Sequence, residues 1–291
     1  MKLALGTVQF GLNYGVSNTQ GQTPLEEVHR ILSFAHKAGI TTLDTSSSYG
    51  NAEAVLGRYE PLSSQFDIIT KSIAINDSGI EQHHIETILT SLKHSMEQLK
   101  TDKLAGVLVH QCDDLFKANG EQIYQALAQQ KSQGNIKRIG VSVYHQQQIE
   151  QLLAHFDVDV IQLPFNIFDQ RLLKSGTLDE LKSRNIEIHA RSVFLQGLFF
   201  ADQTTLNPFF SPAFAPLKQL KTFAKQNNLS LIELTLNFVK NTSQIDKIIC
   251  GVNTCEQLEQ LVNDVDKDII IEHAEQFALS DENILSPTNW P

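Results

Sequence analysis

Eight short apolar runs, each followed by a helical pattern, place the strongest constraint on what this chain can fold into. They are Leu3–Val8, Ile40–Leu43, Phe66–Thr70, Leu104–Val109, Ile136–Val141, Val158–Leu163, Ile186–Ala190 and Ile245–Cys250. Several are nearly continuous in apolar character, as in Gly106-Val107-Leu108-Val109. Strands covered on both faces read this way, because a parallel sheet carries helices on each side. The intervening segments have helical periodicity. Val28, Ile31, Leu32 and Ala35 share one face of a helix that stops at Gly39, and Thr23-Pro24-Leu25-Glu26 reads as its capping box. Ile85, Ile88, Leu89, Leu92, Met96 and Leu99 form a second stripe, and Ile123, Leu127 and Ala128 a third that ends near Gly134. Thr254-Cys255-Glu256-Gln257 opens a helix after the eighth run. Asn207–Pro216, rich in proline and phenylalanine, is the one stretch that reads as a long loop.

Eight β/α units in 291 residues favour a closed (β/α)8 TIM barrel, one domain over residues 1–291, above an open doubly wound sheet. The open sheet often carries a glycine-rich first turn, and here Gly6-Thr7-Val8-Gln9-Phe10-Gly11 is not followed by G-x-G-x-x-G. With 23 Lys and Arg against 33 Asp and Glu the net charge is −10, and no basic stripe is present, which argues against a nucleic-acid partner. No run approaches the roughly 20 apolar residues of a membrane span. The segment Met1–Gly6 is too short and too soon polar for a signal peptide, so the expected location is cytoplasmic. The odd count of three cysteines, Cys112, Cys250 and Cys255, without a C-x-x-C pair fits a reducing compartment rather than a disulfide or zinc site.

A TIM barrel places its chemistry at the C-terminal ends of its strands. Asp44 and Tyr49 follow the second run, Lys71 the third and His110 the fourth. A tyrosine has a free pKa of about 10 and is a poor acid at neutral pH. An adjacent ammonium favours the phenolate, a carboxylate fixes the ammonium, and a histidine can hydrogen-bond a carbonyl oxygen. Any one of these residues alone is weak evidence. The four together, on successive strand ends, point to proton transfer.

The segments Leu5-Gly6-Thr7, Leu43-Asp44-Thr45-Ser46-Ser47-Ser48-Tyr49-Gly50, Ile69-Thr70-Lys71, Leu108-Val109-His110, Ile139-Gly140-Val141-Ser142, Gln162-Leu163-Pro164-Phe165-Asn166 and Gly251 through Leu258 resemble the aldo-keto reductase family, in its order and across almost the whole chain. The tail Ile284–Trp290 resembles the family's short C-terminal end, and the chain as a whole resembles a short-loop bacterial-type member. The resemblance implies an oxidoreductase that takes NADPH or NADH without a Rossmann domain and acts on a small-molecule carbonyl or alcohol. It implies Tyr49 as proton donor, tuned by Lys71 and Asp44, with His110 orienting the carbonyl. It places Gly6, Thr7, Asp44, Ser142, Gln162 and Arg191 at the nicotinamide end of the cofactor. Ser192, Phe194, Gln196, Gly197 and Leu198 would lie along the pyrophosphate, and Gly251, Asn253, Thr254 and Gln257 around the adenosine ribose. Val8, Gln9, Tyr14, Gln111 and Phe165 are the candidate substrate residues, and the polar ones among them point to a sugar or another small polar carbonyl. A cofactor-binding regulatory barrel with little turnover is the alternative the same resemblance allows. An aldolase using Lys71 as a Schiff base is disfavoured by Tyr49 and Asp44.

Three positions depart from the family pattern. Val143 stands where asparagine is common, and Arg191 where a tyrosine often stacks on the nicotinamide. No Lys or Arg lies in Cys250–Gln257 to meet a 2′-phosphate, the next cation being Lys267. The helix start at Thr254 remains able to hold an anion, so the choice between NADPH and NADH stays open, as does the oligomeric state. No metal site is expected. His83 and His84 are adjacent at a helix start, where they should diverge, and no carboxylate set accompanies them. Phe199-Phe200 and Phe209-Phe210 suit either a lid or a packed loop.

Overall fold

In a computed structural model, which describes residues 1–267 and 269–291, eight parallel strands close into a barrel in sequence order. They are β1 (Leu3–Gly6), β2 (Thr42–Asp44), β3 (Asp67–Lys71), β4 (Gly106–Val109), β5 (Ile139–Ser142), β6 (Val160–Pro164), β7 (Glu187–Arg191) and β8 (Lys247–Gly251). Every expected run overlaps a strand. The first run is too long, because Val8 leaves β1 and begins a one-turn helix, Val8–Gly11. Register closes the ring: Gly6 pairs with Asp44 on one side and Gly251 on the other, and Lys71 pairs with Leu108. The strand ends that carry polar side chains therefore lie at one level around one rim.

The helices bury the faces their periodicity marks. Leu25–Lys37 buries Val28, Ile31, Leu32 and Ala35; Gln82–Leu99 buries Ile85, Ile88, Leu92 and Leu99, with Leu89 and Met96 partly covered. Thr254 caps Cys255–Val265 by accepting from the Gln257 N–H at 3.2 Å. The capping box at Thr23 does not form. Pro24 occupies the N-cap with φ −61°, which leaves Thr23 one residue too early for its hydroxyl to reach the third helical N–H. The Thr23 Oγ1 is buried without a partner.

The stretch Asn207–Pro216 is not a loop. Asn207 caps a short turn at Pro208–Phe210 that runs into the helix Ser211–Gln226. Pro212 sits in the first turn, where an N–H has no helical acceptor, and Pro216 follows soon after. Phe210 is fixed edge-on against Trp290, with ring centroids 4.8 Å apart, and Phe199 against Phe168 at 5.0 Å. Among the described residues no helix is long and apolar enough to cross a membrane.

Candidate active site

Asp44 is the last residue of β2 and pairs with Ile69, and Lys71 ends β3 two residues further on, on the same face of the strand, so its long side chain can reach Asp44. The Lys71 Nζ lies 2.7 Å from Asp44 Oδ1, with side-chain exposures of 1% and 5%. It also donates to the Thr45 carbonyl at 2.8 Å, and Gln162 Nε2 donates to the other Asp44 oxygen at 2.7 Å. Burial acts to lower the Lys71 pKa, but the Asp44 charge and the Tyr49 hydroxyl outweigh it, and the pKa is raised. Lys71 is thus an ammonium at neutral pH.

Tyr49 stands directly over this pair, with Lys71 Nζ 4.9 Å from its ring centroid. Its main chain is held by an unusually close approach. A Cβ on Gly11 would sit 1.8 Å from the Tyr49 carbonyl oxygen, and one on Gly50 would sit 2.4 Å from the Gly11 oxygen. Gly50 also has φ +57°, which favours glycine. The Val8–Gly11 turn and the Tyr49–Gly50 turn interlock only because neither glycine has a side chain.

His110, just past β4, meets the Tyr49 ring edge-on with centroids 6.2 Å apart. Its Nδ1 lies 3.4 Å from Ser46 Oγ. Burial, with the Lys71 charge second, brings its pKa down to about 4, so the ring is neutral at pH 7.

These groups open into a groove of about 820 Å³, within the range of cofactor and ligand sites. Asp44, Tyr49 and His110 line it at one end, while Lys71 is buried beneath them. From the expected cofactor set it brings together Gly6, Thr7, Ser142, Gln162, Arg191, Ser192, Phe194, Gln196, Gly197, Gly251, Asn253 and Gln257. Leu198 is instead fully buried, and Thr254 spends its hydroxyl on its own helix cap. From the substrate set Val8, Gln9 and Tyr14 line the groove. Phe165 does not: it is buried and stacks on Phe238 at 5.4 Å, because it points into the barrel wall. Gln111 faces solvent at the start of the turn Cys112–Phe116. Burial pushes the Tyr14 pKa up to about 12, aided by Tyr49, so it stays protonated.

Other lining residues escaped the sequence reading. Tyr144 is the clearest. Arg191 lies 4.1 Å over its ring and donates to the Val143 carbonyl at 3.0 Å, while the Val143 side chain is buried in the core. The segment Gly15–Gln20 forms one wall, tied at both ends. Val16 N donates to Gln196 O at 3.0 Å, and Asn253 Nδ2 to Asn18 Oδ1 at 3.0 Å. Neither strand nor helix, it gives no periodic signal. Phe200 and Thr288 complete the wall, so one phenylalanine of the Phe199-Phe200 pair packs and the other faces the groove.

Two of the three first-turn N–H groups at the helix start after β8, expected to be open to an anion, are already taken. Cys255 N donates to Glu27 Oε1 at 2.5 Å, and Gln257 N to Thr254 Oγ1. Lys267 pairs with Asp264 at 3.0 Å and with Glu233.

His83 and His84 do not diverge. Their ring centroids are 3.8 Å apart, and Asp77 joins them with ligand atoms within 4.8 Å. The expectation failed because Glu81 caps the helix and draws His84 back as its capping partner. His84 Nδ1 accepts from Glu81 N at 3.0 Å, so Nε2 carries the ring proton and gives it to Asp77 at 2.8 Å. Both nitrogens are spent, which suits a cap rather than a ligand set.

The aldo/keto reductase family model matches residues 2–278, and the chain belongs to this family of NAD(P)H-dependent oxidoreductases. It is 27% identical over 183 residues to Uncharacterized oxidoreductase YcsN of Bacillus subtilis (strain 168), covering 57% of this chain and 60% of that protein. It is 23% identical over 263 residues to an NADH-specific methylglyoxal reductase of Escherichia coli (strain K12), covering 78% of this chain and 79% of that one. Among solved structures, aldo-keto reductase AKR11C1 from Bacillus halodurans (holo form) has the same fold, with a TM-score of 0.74 at 19% identity, covering 95% of this chain and 90% of that one.

Proposed function

We propose that this chain reduces a small, polar aldehyde or ketone, with Tyr49 giving the proton to the carbonyl oxygen. The observation that carries the reading is the buried Asp44–Lys71 pair set under Tyr49 at the closed end of the groove. A buried charge pair is weak evidence for stability alone. Beneath a tyrosine in a groove it supplies what the conjugate phenolate needs: a fixed positive charge in a site of low permittivity.

The groove fits an extended dinucleotide. Gly6 and Gly251 give part of its lining no side chains, and the buried Gln9 Oε1 beside Gly251 has no partner. When bound, the nicotinamide supplies the hydride that reaches the carbonyl carbon. Ser142 and Gln162 would hold the carboxamide; Gln162 spends its Nε2 on Asp44 and keeps its oxygen as an acceptor. Thr7 lines the nicotinamide end, with its hydroxyl given to the Asp44 carbonyl at 3.0 Å. Arg191, braced on Tyr144, would lie against the nicotinamide, and Ser192–Gly197 along the pyrophosphate.

His110 is neutral and has one ring proton to offer. In the tautomer where Nδ1 accepts from the Ser46 hydroxyl, that proton sits on Nε2, where it would serve a carbonyl oxygen. Lys71 never enters the groove, so it acts through Tyr49. Gln9, Tyr14, Tyr144 and His110 make the wall polar, which suits short, oxygen-rich carbonyl compounds better than steroids. The relative named as a methylglyoxal reductase supports a small substrate.

The test is Tyr49→Phe, assayed over a panel of small dicarbonyls, hydroxyaldehydes and sugars. Turnover should fall by roughly 10²–10⁴-fold, as for loss of a general acid, with dinucleotide affinity nearly intact. A variant that reduces a good substrate at the wild-type rate overturns the assignment.

A further inference from the structure

We infer that this chain selects NADH against NADPH, through the carboxylates Glu27, Glu256 and Glu259 around the helix start after β8. The inference rests on the reductase reading above. The nicotinamide must lie at the Tyr49 end, and from there the groove runs past Ser192–Gly197 to Asn253, Gln257, Gln260 and Leu261. The adenosine ribose of an extended dinucleotide therefore comes to rest against the first turn of Cys255–Val265.

A 2′-phosphate there needs cations or free N–H donors. Among the described residues lining the groove the only cation is Arg191, at the other end. The Cys255 N–H is already given to Glu27, and the Gln257 N–H to Thr254. Asn253 spends its amide on Asn18 and, at 3.3 Å, on the Gly21 carbonyl. Gln257 turns its Oε1 to the Asn253 N–H at 2.7 Å.

The local charge is also of the wrong sign. Arg30 is committed twice, to Glu27 at 2.8 Å and to Glu256 at 2.7 Å. Glu259 lies in the same turn, with its Oε1 3.7 Å from Cys255 Sγ. Three carboxylates against one guanidinium leave two negative charges. Glu27 is the strongest of them, because its side chain is only 16% exposed and so less screened. These carboxylates stand behind the groove wall and do not line it, so they act through their field: a neutral ribose hydroxyl is little affected, whereas a dianionic phosphate is repelled.

Calorimetric dissociation constants for NADH and NADPH, without substrate, test this. NADH should bind at least roughly tenfold tighter, and raising the salt should narrow the gap. Glu27→Gln keeps an oxygen for the Cys255 N–H and removes the charge; it should shrink the NADPH-to-NADH ratio by roughly threefold or more. Glu256→Gln, at an exposed position that folding should tolerate, should shift the ratio the same way by less. Equal or tighter NADPH binding by the wild type overturns the inference and leaves the reductase reading standing, as does a ratio unchanged in both variants. Binding of neither dinucleotide overturns both.

Discussion

The Asp44–Lys71 pair makes a prediction that separates a working charge pair from an ornamental one. At 2.7 Å, and with an effective permittivity of about 20, the attraction is roughly 6 kcal/mol. Desolvation of two ions buried to 1% and 5% exposure cancels much of this, so the intact pair contributes little net stability. Removing one partner is different, because it strands the other. Lys71→Met leaves a buried carboxylate with Gln162 as its remaining side-chain donor, and Asp44→Asn leaves an ammonium on the Thr45 carbonyl. Each should lower the free energy of unfolding by about 3–5 kcal/mol. The double variant Asp44→Asn/Lys71→Met should lose clearly less than the sum, with a coupling of at least about 1 kcal/mol. Urea denaturation of the four proteins measures this. Turnover in Lys71→Met should also fall by roughly 10²–10⁴-fold, because Tyr49 loses the charge that supports its phenolate. Additive single effects, or Lys71→Met turnover at the wild-type level, would refute the reasoning.

His110 should titrate near pH 4 by NMR, and a midpoint near 6.5 would contradict the buried, Lys71-facing environment. Its folded pKa lies below its unfolded one, so the unfolded chain takes up the proton first as pH falls. Stability from this group is then complete above about pH 6.5 and lost down to about pH 4, a ceiling of about 3 kcal/mol for a 2.5-unit difference. Gly11→Ala should push the Tyr49 turn away, since the new Cβ would meet the Tyr49 carbonyl oxygen at 1.8 Å. It should cost about 1–3 kcal/mol on urea denaturation and lower turnover more than dinucleotide affinity; wild-type values for all three would show that the interlocked turns do not place the tyrosine.

What was legible in the chain followed range. Strands buried on both faces announce themselves by composition, so all eight were found, with errors only at their ends. Asp44, Lys71 and His110 were legible because a barrel turns position along the chain into position around a rim. Phe165 was misplaced for the same reason in reverse: a residue just past a strand end can point into the wall, and only packing on Phe238 decides it. Tyr144 gives no signal along the chain, because its partner Arg191 reaches it only across the barrel, from β7 to the loop after β5. The helix at Ser211 was lost because prolines in a first turn resemble prolines in a loop.

The helix start after β8 shows where reading along the chain must stop. Locally, Thr254-Cys255-Glu256-Gln257 is an open anion site, and no sequence window there says otherwise. The contradiction comes from Glu27, 228 positions away, which lies on the helix packed beside it and takes the Cys255 N–H. The Tyr49 end of the groove is built from adjacent strand ends, so its parts are fixed by register. The end proposed for the adenosine is built where the helices Leu25–Lys37 and Cys255–Val265 meet, and closure of the barrel alone decides which charges arrive there. In this fold, then, sequence motifs speak more clearly for the acid than for the cofactor, and substitutions on Leu25–Lys37 are the ones to examine when relatives differ in the dinucleotide they accept.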